Sequence, residues 1–173
     1  MARDQREYAA RLLPAIEMRL GILAVGHKLP GWVADGCAEY IKRMPRELPL
    51  SVVEIKPEPR SAKTREQLLA AEKNRLLMGL SGYARIIVLD ERGDNLTTLD
   101  LARRLEGWMR TGGDTAFVIG GADGIDEELK SKADEIIRLS SLTLPHAMAR
   151  LVLCEQFYRA VSIIKNHPYH RGT

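Results

Sequence analysis

Five short apolar runs, each separated from the next by a stretch with helical spacing, limit the possible folds of this chain more than any other feature. They are Leu20 to Val25, Leu50 to Ile55, Arg85 to Leu89, Thr115 to Ile119 and Glu135 to Leu139. A strand with one wet face alternates apolar and polar residues, whereas a strand covered on both faces loses that alternation. Runs of this kind with helices between them predict an α/β domain: a parallel sheet flanked by helices. A chain of 173 residues, 45% hydrophobic and 28% charged, can bury one such core.

The helices carry their own signals. The clearest starts at Thr97 or Thr98 as N-cap and sets Leu101, Leu105, Trp108 and Met109 on one stripe before Gly112-Gly113 ends it. A second runs from Thr64 to Met78 with Leu68, Leu69, Leu76 and Leu77 among its charges. A third runs from Trp32 to Met44, ahead of Pro45. Between the second strand and its helix, Pro57-Glu-Pro-Arg-Ser-Ala-Lys-Thr-Arg65 has two prolines and three basic residues, and suits either a solvated connector or an RNA contact.

The last helical stretch, about Pro145 to Asn166, is apolar on nearly every side, from Met148 through Leu151, Leu153, Phe157 and Val161 to Ile164. One sheet cannot cover so much surface. This predicts a second copy packed against it in a two-fold homodimer, with Leu153 or Phe157 in the interface. Arg150, Glu155 and Arg159 exclude a membrane span there, no uncharged apolar run elsewhere reaches about 18 residues, and the mixed charges of Met1 to Glu7 do not suit a signal peptide. Cys37 and Cys154, far apart and without metal-ligand spacing, are expected to be small core residues of a protein in the reducing cytoplasm. Residues 1–17 lack a core pattern and form an N-terminal extension (a peripheral helix, a disordered tail or an upstream start) ahead of a single domain over residues 18–173.

A net charge of +3 is too small to grip nucleic acid by charge alone, so any RNA partner must be recognised mainly by shape. Phe117-Val-Ile-Gly-Gly-Ala-Asp-Gly-Ile125 is a strand entering a glycine-rich turn, but Ile119 stands where a dinucleotide fingerprint needs its first glycine. Asp126, Glu127 and Glu128 also disfavour a phosphate at the following helix start. That leaves a plain tight turn, or a site for an uncharged or cationic nucleoside-like ligand. His167-Pro-Tyr-His170 offers two imidazoles without a third ligand nearby, so no metal site is expected. His146, after Pro145, is either a helix-start residue bonded to a loop carbonyl or a neutral ligand-facing imidazole. Ser140 and Ser141 lack the glycines of a nucleophile elbow, which disfavours hydrolase chemistry.

With these residues in view, the chain resembles the RlmH (YbeA) family of SPOUT methyltransferases. The resemblance spans Met18 to Arg171 through Leu20-Gly-Ile-Leu-Ala-Val-Gly26, Val88-Leu-Asp90, Phe117-Val-Ile-Gly-Gly121, Leu142-Thr-Leu-Pro-His146, Glu155-Gln-Phe-Tyr-Arg-Ala160 and Asn166-His-Pro-Tyr-His-Arg171. It implies a SPOUT-type α/β domain with a C-terminal trefoil knot, an exception to the rule against knotted chains. It further implies S-adenosylmethionine bound in a bent form at Leu89, Gly120, Gly121, Ser140, Ser141, Leu142, Thr143 and Leu144. The implied enzyme is a homodimer that methylates N3 of a pseudouridine in 23S ribosomal RNA, on the assembled ribosome.

On that reading, His167, Tyr169, His170 and Arg171 are the catalytic residues and close over the target base. Arg171 or a histidine stabilises negative charge on a ring carbonyl oxygen, and a neutral histidine or solvent takes the proton. Arg150 and Arg159 are alternatives from the long helix. Two other classes stay open: a non-enzymatic ribosome-binding factor of the same fold, and a Rossmann-like nucleotide oxidoreductase, which the missing glycine disfavours.

Overall fold

The computed structural model describes residues 17–171, so the extension assigned to residues 1–17 lies, but for Glu17, outside the described residues. In chain order the elements are β1 (Leu20–Val25), α1 (Gly31–Arg43), β2 (Leu50–Ile55), α2 (Arg65–Gly79), β3 (Arg85–Asn95), α3 (Thr98–Thr111), β4 (Thr115–Ile119), α4 (Glu127–Ser131), β5 (Glu135–Arg138), α5 (His146–Ile164) and a 3₁₀ turn, Pro168–Arg171. The five strands form one wholly parallel sheet in the order β2-β1-β4-β3-β5.

The apolar runs are continuous because both faces of the sheet are covered. Leu20, Ile22 and Ala24 of β1, with Phe117 and Ile119 of β4, point to the side packed by α1, α3 and α5. Leu23 and Val25, with Ala116 and Val118, point to the side packed by α2 and α4. An edge-to-face stack of Trp108, Phe117 and Phe157, with centroids 5.9 and 4.7 Å apart, ties α3 and α5 to the sheet centre.

Helices α2 and α3 start as their sequences predict. Thr64 Oγ1 accepts from the Gln67 N–H while Gln67 Oε1 accepts from the Thr64 N–H, and Thr97 and Asp100 repeat the exchange. Strands β1, β2 and β4 have their expected bounds. Strand β3 does not stop at Leu89: after a register shift it pairs again with β5, at Asp94 and Asn95. Strand β5 ends one residue early, at Arg138.

Helix α5 requires a correction. Leu153 and Phe157, one of which was expected at an interface between two copies, are both fully buried in the core of the single chain, against α1 and α3. The helix's other face, with Met148, Val152 and Tyr158, is only half-buried. Cys37 and Cys154 are buried free thiols that meet between α1 and α5, and burial raises both above the ordinary thiol range.

Candidate active site

Because every strand runs the same way, the loops leaving their carboxyl ends gather at one edge of the sheet, where ligands of open α/β sheets bind. A cleft of about 1310 Å³ opens there, walled by the loops after β1, β2, β4 and β5, by the Leu89 to Arg92 stretch of β3 and by the first turns of α5. A cavity of about 480 Å³ adjoins it between the Leu89 to Arg92 stretch of β3 and the loop after β5. Leu89, Thr143 and Leu144 line both. Gly120 and Gly121 line the larger, and Ser140, Ser141 and Leu142 the smaller.

Local sequence explains these walls. Between Leu89 and Asp94 the strand β3 bulges, both residues pairing with Ile137 of β5, and a β-carbon on Gly93 would lie 2.5 Å from the Ile137 carbonyl carbon. The bulge lifts Asp90, Glu91 and Arg92 over the cleft. After β4 the chain turns through Gly124, at φ +88°. A β-carbon on Gly120 would lie 2.5 Å from Ile125 Cγ1 and 2.7 Å from the Gly124 oxygen, so the turn needs glycine at both positions. In the loop after β5, Ser140 Oγ accepts from the Leu142 N–H at 2.9 Å.

The floor is charged and partly unpaired. Arg150 is fully buried; Glu54 Oε1 accepts from its Nη1 at 3.3 Å, but Nε and Nη2 have no partner among the described residues. Burial lowers its pKa from the ordinary arginine range, and Glu54 offsets only part of that. Beside it sits His146, whose Nε2 is buried and unpartnered. Burial and then the Arg150 charge lower the His146 pKa, while the Gly120 carbonyl opposes them, so the imidazole is neutral near pH 7. Asp90 is ionised despite burial because Lys130 Nζ donates to it at 2.7 Å.

The segment after β2 is no free connector. Arg60 pairs with Asp123 at 2.7 Å, Arg65 donates to the Asp123 carbonyl at 2.9 Å, and Glu58 pairs with both Lys63 and Arg75. It is thereby fastened to the glycine turn and forms one side of the cleft.

A family model described as "Predicted SPOUT methyltransferase" matches residues 18–170. The chain belongs to the SPOUT methyltransferase family. It is 68% identical over 154 residues to "Ribosomal RNA large subunit methyltransferase H" of Dechloromonas aromatica, covering 89% of this chain and 99% of that protein. It is 57% identical over 156 residues to the protein of the same name from Burkholderia vietnamiensis, covering 90% and 100%. These identities place it in the RlmH branch of the SPOUT family. Among solved structures, a probable methyltransferase from Bordetella pertussis Tohama I superposes with a TM-score of 0.55 at 16% identity, over 91% of this chain and 99% of that one. A probable methylase family protein from Haemophilus influenzae Rd KW20 gives 0.53 at 15%, over 90% and 71%. Both likenesses concern the fold alone.

The tail of this SPOUT chain lies apart from its own cleft. None of His167, Tyr169, His170 and Arg171 is among the residues lining it. After Asn166, at φ +52°, the 3₁₀ turn folds back along α5. The Tyr169 hydroxyl donates to Glu155 Oε1 at 3.2 Å and lies 3.3 Å from the Tyr40 hydroxyl, with its ring against Tyr158 and beneath the Arg159 guanidinium. Burial, Tyr40 and Glu155 raise its pKa, so the phenol is protonated. His167 Nδ1 accepts from the Tyr169 N–H at 3.3 Å, and Arg171 donates to Asn166 Oδ1 at 2.8 Å. His170 Nδ1 is buried without a partner among the described residues.

Two cleft residues escaped the sequence reading. Gly26 follows β1 where His146 and Arg150 press against the backbone. Glu72 lines the cleft from α2 and is only 8% exposed. Its signal was available: Leu68, Glu72 and Leu76 are spaced by four, so a carboxylate interrupts the buried stripe of an amphipathic helix.

Proposed function

We propose that this chain is an S-adenosylmethionine-dependent methyltransferase of large-subunit ribosomal RNA, and that its target is N3 of a pseudouridine on the assembled ribosome. The observation that carries the reading is the meeting of Leu89, Gly120, Gly121 and the loop Ser140 to Leu144 around two adjoining cavities at one sheet edge. The residues fit the cofactor. The smaller cavity, about 480 Å³, suits a ligand of its size. Gly120 and Gly121 have no room for a β-carbon without displacing a neighbour, which leaves bare backbone to meet an adenosyl group, and Leu89 and Leu144 add apolar surface. When bound, the cofactor supplies an electrophilic methyl group.

The remaining work is done by the chain's own side chains. Lys28, Lys56 and Arg65 line the larger cleft among acidic residues and can meet RNA phosphates, which position without selecting sequence. His146, neutral and at the cleft floor with its N–H turned to the Gly120 carbonyl, can accept a hydrogen bond at the base edge through its other ring nitrogen. The half-buried face of α5 supports a two-fold homodimer. The same dimer would let His167, Tyr169, His170 and Arg171 of one copy close over a base held in the cleft of the other. There Arg171 or a histidine would stabilise charge growing on a ring oxygen, and a histidine or solvent would take the departing proton. The same reading includes a trefoil knot in the C-terminal segment and action in the cytoplasm.

Calorimetric titration with S-adenosylmethionine tests the first step. Saturable binding near 1:1 per chain is expected. A chain that binds ribosomes but not the cofactor would be a ribosome-binding factor instead.

A further inference from the structure

We propose that Glu72 is the anionic contact for the ammonium group on the amino-acid arm of the cofactor, a proposal that rests on the cofactor reading of the cleft. Glu72 is more than nine-tenths buried, yet it lines the cleft directly under the glycine turn. One carboxylate oxygen, Oε1, accepts from the Glu58 N–H at 3.0 Å. The other, Oε2, is turned toward Gly121, 3.2 Å from where a β-carbon on that residue would sit. Glycine at 121 therefore keeps this oxygen open to the cleft.

Among the described residues the carboxylate has no counter-ion of its own. The nearest cations are engaged elsewhere, Arg60 by Asp123 at 2.7 Å and Arg75 by Glu58. From the glycine turn Asp123 faces it, from the loop after β2 Glu58 and Arg60, and from its own helix Arg75. Burial first, and then Asp123, raise its pKa above the usual carboxylate range, against the smaller pull of Arg75 and Arg60. A buried carboxylate without a cation is costly, and a ligand that brings one is favoured there. With the adenosyl group against Ser140 to Leu144, the amino-acid arm can cross the glycine turn toward Glu72.

The test compares three ligands on the full chain by calorimetry. S-Adenosylmethionine and S-adenosylhomocysteine both carry the ammonium, and 5′-deoxy-5′-methylthioadenosine lacks the whole arm. Glu72→Gln should weaken the first two by about ten- to hundredfold, the value of a charge-assisted hydrogen bond, and leave the third unchanged. Equal losses for all three, or no loss, overturns the proposal. A wild-type chain that binds none of the three overturns the cofactor reading as well.

A second measurement needs no variant. Wild-type binding of S-adenosylmethionine, followed from neutral pH downward in buffers of different ionisation heat, should release protons, because the raised carboxyl must ionise to meet the ammonium. Its affinity should fall as pH drops through the Glu72 pKa, while that of methylthioadenosine should not. Identical pH profiles for the two ligands overturn the assignment.

Discussion

Gly26 and Arg150 share one narrow space between the end of β1 and the second turn of α5: a β-carbon on Gly26 would lie 2.6 Å from Arg150 Nη2. It would also lie 3.0 Å from His146 Cε1. Gly26→Ala must push both side chains aside, at a cost of about 1 to 3 kcal/mol for overpacking. The melting temperature should fall and methyl transfer should fall with it. An alanine variant with unchanged melting and activity contradicts the contact.

Arg150→Met separates charge from packing. The guanidinium is buried with two nitrogens unpartnered, and replacing a poorly compensated buried charge by a side chain of similar volume is often neutral or stabilising. We expect thermal stability to hold or rise while methyl transfer drops about tenfold or more. Loss of stability together with activity would make Arg150 a structural residue only.

His146 gives the fold a pH dependence of known sign. Its folded pKa is depressed, chiefly by burial, so the unfolded chain binds the proton more readily. The stability it contributes is present above the unfolded histidine pKa of about 6.5 and is lost as pH falls from there toward the folded value. Melting temperatures measured from pH 7.5 to 5 should decline less steeply for His146→Gln than for wild type. Parallel curves would remove His146 as the source.

The sheet was legible because covering both faces forces continuous apolar runs, and β1, β2 and β4 ended where those runs ended. The extension of β3 was not, because Asp90 to Asn95 is charged and bulged, and its pairing with β5 depends on Gly93. The loops proposed to hold the cofactor were assigned through the family resemblance, and the fold brings all of them to one edge. Glu72 and Gly26 were missed because a carboxylate in a helix stripe and a glycine after a strand acquire meaning only from what packs against them. Leu153 and Phe157 were assigned to an interface because periodicity cannot tell a helix wedged among α1, α3 and the sheet from one waiting for a partner. Leu153→Glu should therefore unfold the chain, read as loss of the melting transition; a folded monomer would restore the interface assignment.

The tail can be separated from the loops proposed to hold the cofactor. Ending the chain at Lys165 removes the 3₁₀ turn and the Tyr169 contacts with Glu155 and Tyr40. Cofactor affinity should stay within about twofold, under half a kcal/mol, because no described tail residue lines the cleft of its own chain. Methylation should be abolished. A truncated chain with full activity excludes the tail from catalysis.

The most direct test of the account is transfer of labelled methyl from S-adenosylmethionine to ribosomal material from cells lacking the enzyme, offered as assembled ribosomes, free large subunits or naked RNA. The account predicts label on assembled ribosomes alone, at N3 of one pseudouridine of the large-subunit RNA. Label on naked RNA, at another atom, or nowhere despite bound cofactor, contradicts it.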